Sequence, residues 1–115
     1  MKLSNSDLDR IIGKTPLVSL SNNLFAKLET YNPTGSIKDR MAHYLLKKAE
    51  SRGEIKPGDT IVEASSGNTG IAFAMLGAVK GYKVKIIMPF NMSEERKQMM
   101  RAYGAEIIEV GASDF

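Results

Sequence analysis

Between residues 60 and 110 the chain alternates between two hydrophobic rhythms. The short runs "TIVEA" (Thr60 to Ala64), "KVKIIM" (Lys83 to Met88) and "EIIEV" (Glu106 to Val110) have strand character, and the longer stretches between them fit a helix. The run "IAFAMLGAV", Ile71 to Val79, predicts a helix that ends near Lys80 and Gly81. Pro89 stops the strand before it, and Ser93 with Glu94 and Glu95 opens another helix, which ends at Gly104. Upstream, Ile37, Met41, Tyr44, Leu45 and Ala49 recur at helical spacing and predict an apolar helix face, with Gly53 as its stop. Ser36 followed three residues later by Asp39 resembles a capping box, which makes Lys38 the second helical residue.

The first third is less regular. "GKTPLVSL" carries a proline and is at best an edge strand, "LFAKLE" (Leu24 to Glu29) alternates like a strand with no evident partner, and "YNPTG" breaks the chain. From Ser36 onward, helix and strand alternate with short connections. That order predicts an α/β fold: an open parallel sheet with helices on its faces, three layers deep, joined by right-handed crossovers.

Composition narrows the chemistry. A chain of 115 residues, 43% hydrophobic and 25% charged, suits one modest core, which its seven methionines help to fill. It has no cysteine, which excludes disulfides, thiolate metal sites and cysteine nucleophiles, and its lone histidine, His43, cannot form a histidine metal cluster. The net charge of +3 is spread through mixed segments such as "KKAESRGEIK", so no nucleic-acid surface is expected. Ile71 to Val79 is too short to cross a bilayer and "MKLSNSDLDR" lacks an apolar signal segment, so a cytoplasmic protein with no membrane partner is expected.

Two places could carry chemistry. Lys38 stands at a helix start, where the helix dipole disfavours a cation; with burial, that would lower its pKa and favour the neutral amine that captures carbonyl groups. A solvated lysine that reaches outward is the plainer alternative. The second place is "SSGNTG", Ser65 to Gly70, between a strand and a helix. Ser65, Ser66, Asn68 and Thr69 offer polar side chains, the helix start offers N–H groups for a carboxylate or phosphate, and Gly67 and Gly70 let the backbone bend and a ligand come close. An ordinary capped turn is the alternative. A carbonyl-capturing amine beside a carboxylate-holding loop suggests amino-acid chemistry on a carbonyl cofactor, provided both face one pocket.

At these residues a family resemblance emerges. "NPTGSIKDR" and "EASSGNTGI" resemble signature segments of the cysteine synthases, within the fold type II (β-family) pyridoxal-phosphate enzymes, and "IGKTPLVSL" is similar to the family's amino-terminal segment. "KGYKVKIIMPFNMSEERKQMMRAYGAEIIEV" is most similar to the B-isozyme type of O-acetylserine sulfhydrylase. The resemblance implies that Lys38 holds pyridoxal 5'-phosphate and later removes the substrate's α-proton, and that Asn68 binds the cofactor ring oxygen. It also implies that Ser65, Ser66, Gly67, Asn68 and Thr69 clamp the carboxylate of an amino-acid substrate, with no metal. The implied reaction is β-replacement on O-acetylserine, or a similar activated serine, by sulfide.

By the same resemblance, residues 1–35 form the entry to a larger domain and residues 36–115 form the small α/β domain. The family's Gly-rich phosphate loop lies beyond Phe115, so the expectation is an amino-terminal piece with little activity alone, which forms a homodimer or associates with the missing portion. A non-catalytic module that binds a small anion or docks onto a relative is the alternative.

Overall fold

The computed structural model describes residues 3–115. A short helix α1 (Asn5–Ile11) opens it, followed by strands β1 (Leu17–Ser21) and β2 (Leu24–Lys27). Then come α2 (Lys38–Ser51), β3 (Thr60–Ala64), α3 (Asn68–Lys80), β4 (Lys83–Pro89), α4 (Glu94–Ala102) and β5 (Glu106–Val110). From α2 onward every predicted element is present.

Strands β3, β4 and β5 pair in parallel in that spatial order, with Ile61 opposite Val84 and Ile86 opposite Ile107. Each neighbour pair is joined through a helix, as parallel strands require. On β4 the residues Val84, Ile86 and Met88 are buried, whereas Lys83 is exposed and Lys85 and Ile87 are half-buried. Helix α3 lies over the buried row, so close that a Cβ at Gly70 would sit 3.1 Å from the Ile86 side chain. α4 packs beside α3 and against β5, and α2 packs against α3. The α/β class and the open parallel sheet stand. Of the three layers, the described residues hold the sheet and a helical layer on one face. The other face leaves Val62 at 58% and Ile108 at 38% exposure.

The core is one cluster centred on α3, from Ile71 to Leu76, with Ile86, Met88 and Met100 beneath it. Burying such a side chain contributes about 1.5–3 kcal/mol. Leu8 and Ile12 join the same cluster.

The amino-terminal third is more ordered than its pattern suggests. Ser4 and Asp7 form a capping box at α1, in which the Ser4 hydroxyl accepts from the Asp7 N–H and the Asp7 carboxylate accepts from the Ser4 N–H. "LFAKLE" has a partner after all. β1 and β2 form an antiparallel hairpin about Asn22 and Asn23, the latter with φ 64°, a conformation that asparagine tolerates. The strand ends at Lys27 rather than Glu29. Glu29 instead begins a tight 3-10 turn, and its carboxylate is engaged by other parts of the chain, as described below.

The apolar face predicted for α2 is a second departure. Ile37, Met41, Tyr44 and Leu45 are 40–61% exposed, and the helix buries Asp39, Ala42 and Leu46 instead. The helix period is right, but the larger apolar side chains face away from α3.

Candidate functional site

The start of α2 is built by its polar residues. The helix is assigned from Lys38, and Ile37 before it already has helical backbone angles, which is consistent with Ser36 as the cap and Lys38 as the second helical residue. The Ser36 hydroxyl accepts from the Lys38 N–H at 3.1 Å. The reciprocal half of the expected capping box is absent. The Asp39 carboxylate is fully buried and accepts from the Thr34 N–H at 2.7 Å and from the Thr34 hydroxyl, drawing the "PTG" turn over the helix start. Lys38 itself is exposed, so the burial assumed in the sequence argument is missing.

A second network fastens this turn to the amino-terminal segment. The Arg40 guanidinium forks onto Glu29 at 2.7 and 2.9 Å and also donates to the Gly13 carbonyl at 2.9 Å. Thr15 and Asn32 donate to the same carboxylate at 2.9 Å each. These bonds, Arg40 foremost, hold the Glu29 carboxyl down at about 2.

The second half of the site follows β3. The Ser65 N–H extends the ladder to the Ile87 carbonyl at 3.0 Å. Its hydroxyl, buried with the residue, accepts from the N–H groups of Gly67 at 3.2 Å and Gly70 at 2.9 Å. Ser65 thus caps α3 from within and keeps only its own O–H to donate. The N–H groups of Ser66, Asn68 and Thr69 make no hydrogen bond among the described residues, and Ser66 and Asn68 are exposed. Three unspent donors at a helix start form an anion-ready surface.

The two glycines act differently from the sequence reading. Gly70 permits close packing: an added Cβ would meet Met100 at 2.9 Å. Gly67 permits the approach of a protein side chain, since the Arg96 guanidinium would lie 3.2 Å from its Cβ. Arg96, which donates to the Ser66 carbonyl at 3.2 Å, is a site residue that sequence reasoning missed. It sits among mixed charges in "SEERKQ" and has no local signature.

The helices that begin at the two halves are joined near their far ends. Near the carboxyl ends of α2 and α3, Lys80 donates to both Glu50 carboxylate oxygens at 3.0 and 2.9 Å, and Tyr82 donates to Glu50 at 2.8 Å. The helices pack together and have 14 and 13 residues. At 1.5 Å per residue their lengths match, and Lys38 and Asn68 each stand at the amino end of its helix, away from this latch. Each amino end carries the positive end of its helix dipole. Neither Lys38 nor residues 65–70 line any of five hollows of about 120 to 470 Å³ in the fold, so none of these is the shared pocket that the sequence reading expected.

Comparison with known proteins bears on this geometry. Residues 8–115 match the family described as pyridoxal-phosphate dependent enzyme. The chain belongs to this family. It is 55% identical over 112 residues to cysteine synthase B of Escherichia coli (strain K12), covering 91% of this chain and 37% of that protein. It is 52% identical over 121 residues to cysteine synthase B of Pseudomonas syringae pv. syringae, covering 99% of this chain and 72% of that protein.

Among solved structures, a hydrogen sulfide-producing enzyme from Fusobacterium nucleatum superposes with a TM-score of 0.86 at 50% identity, covering 96% of this chain and 35% of the other. The O-ureido-L-serine synthase structure does so with a TM-score of 0.87 at 41% identity, covering 98% and 37%. The small α/β arrangement is therefore that of the fold type II enzymes. The chain spans a little over a third of the length of most of these relatives. No helix among the described residues is long and apolar enough to cross a membrane.

Proposed function

We propose that this chain carries the amino-terminal share of a cysteine synthase site, which replaces the leaving group of O-acetylserine, or a similar activated serine, with sulfide. The observation that carries this reading is the packed pair α2 and α3, latched near their carboxyl ends, with an exposed lysine amine at the amino end of one and three unspent N–H donors at the amino end of the other. Membership of a pyridoxal-phosphate-dependent family supports the same cofactor here, and the donor set suits it: a reachable amine for its aldehyde and an amide side chain for its ring oxygen. When bound, pyridoxal phosphate supplies the electron sink for β-elimination and addition.

The protein's own residues divide the remaining work. Lys38 would anchor the cofactor and would take the substrate's α-proton as a general base. Asn68 would orient the cofactor ring through its side chain. The N–H groups of Ser66, Asn68 and Thr69, with the Ser66 and Thr69 hydroxyls, hold the substrate carboxylate, and Gly67 adds no side chain to obstruct them. Ser65 supports them by holding the Gly67 and Gly70 N–H groups in place.

The chain spans 37% of the Escherichia coli relative, so the proposed turnover belongs to a longer assembly, with little in this chain alone. Exposed apolar residues on α2 and on the hairpin, including Met41, Leu45, Leu17 and Phe25, favour association with further polypeptide, as a homodimer or with the remainder of such an enzyme. A cytoplasmic location is proposed on the same family grounds.

The test is covalent trapping. The chain is incubated with pyridoxal phosphate, reduced with borohydride, and mapped by peptide mass. Lys38 labelled ahead of the other lysines is the expected result. Uniform labelling of surface lysines would contradict a preformed site.

A further inference from the structure

One peptide unit in the loop is gripped at both ends. The Gly67 N–H of the Ser66–Gly67 peptide donates to the buried Ser65 hydroxyl at 3.2 Å, and the Ser66 carbonyl of the same peptide accepts from Arg96 at 3.2 Å. Arg96 comes from the first turn of α4, one residue before Lys97. Lys97 locks that turn in place by donating to the Phe90 carbonyl at 2.7 Å while it pairs with Glu109 at 2.8 Å. Arg96 makes no ion pair among the described residues, although Glu94, Lys97 and Arg101 around it all do. A guanidinium without a carboxylate therefore stands beside the three free N–H groups.

We infer that Arg96 is a positioning residue for the carboxylate site: it fixes the Ser66–Gly67 peptide so that the carbonyl is engaged and the neighbouring N–H groups stay available to an anion. This rests on the reading of residues 65–69 as the carboxylate loop. The physical reason is a competition of dipoles. A free Ser66 carbonyl can rotate toward an incoming carboxylate and repel it, whereas a carbonyl bound to a cation cannot. The guanidinium also adds a fixed positive charge, which acts through the loop even without touching the anion. Gly67 serves the same arrangement, since a Cβ there would displace the guanidinium.

The experiment titrates the 115-residue chain with acetate, as a plain carboxylate, and follows the backbone amide signals of Ser66, Asn68 and Thr69. Arg96→Ala is expected to weaken the acetate response about tenfold, the effect of losing one charge-assisted contact. Arg96→Lys, which keeps a cationic donor, should restore most of it, and a fold defect would not be rescued in this way. Gly67→Ala provides an independent check and should weaken binding with Arg96 intact. If Arg96→Ala binds acetate as tightly as the parent at the same amides, the inference is wrong while the carboxylate loop stands. If acetate moves none of these amides in the parent chain, the loop reading fails and this inference falls with it.

Discussion

Two acidic residues show how single side chains set up the site. Asp39 looks in the sequence like the third position of a capping box, and Ser36 and the spacing support that. The structure gives its carboxylate to Thr34 instead, because a fully buried acid needs its partners close and the "PTG" turn folds back to supply them. Nothing in residue spacing distinguishes a reciprocal cap from a backward one. Glu29 was legible only as the end of a strand, since Arg40, Thr15 and Asn32 reach it from other parts of the chain. Its folded carboxyl stands at about 2, below the ordinary 4.5. A depressed acid stabilises the fold above its unfolded value and loses that contribution as pH falls through its folded value. Urea unfolding of the parent and Glu29→Gln should therefore differ above pH 4.5, and the difference should close as pH falls toward about 2. A gap that does not change with pH would show that the charge of Glu29 plays no part.

At the scale of elements, the strands and helices from α2 onward were legible because period and punctuation agreed in each. Gly81 closes α3 in the left-handed conformation, and Pro89 ends β4 as its sequence suggests. α1 is hard to read from the sequence although Ser4 and Asp7 carry its signal, since seven residues with a single buried apolar position show little periodicity. Helix α2 was found for a reason that the structure reverses, because its conspicuous apolar residues are the exposed ones. Periodicity reports that a face exists and is silent on what covers it. The start of α3 depends on Ser65, which holds two of its N–H groups. Ser65→Ala should cost about 1–2 kcal/mol in chemical unfolding, the usual range for a lost cap. It should also broaden the amide signals of Gly67 and Gly70; if those signals stay sharp and unshifted, the hydroxyl is not the cap.

For the whole molecule, the decisive relation is the packing of α2 against α3, which no local pattern reveals. Its far end is latched by Lys80, whose side chain is 2% exposed, against Glu50, which also accepts from the Tyr82 hydroxyl. Removing one member of a buried pair leaves the other unsatisfied, so Lys80→Ala should destabilise the chain by about 2–4 kcal/mol, discounted from a fully buried pair because Glu50 remains partly exposed. The amino ends of the two helices carry Lys38 and the loop, and the functional account depends on their being neighbours. The direct measurement is the backbone amide spectrum of the chain after pyridoxal phosphate has been reduced onto Lys38. The account predicts shifts at Ser66, Asn68 and Thr69 as well as around Lys38 itself. Shifts confined to residues 34–42, with the loop signals unmoved, would contradict a shared site.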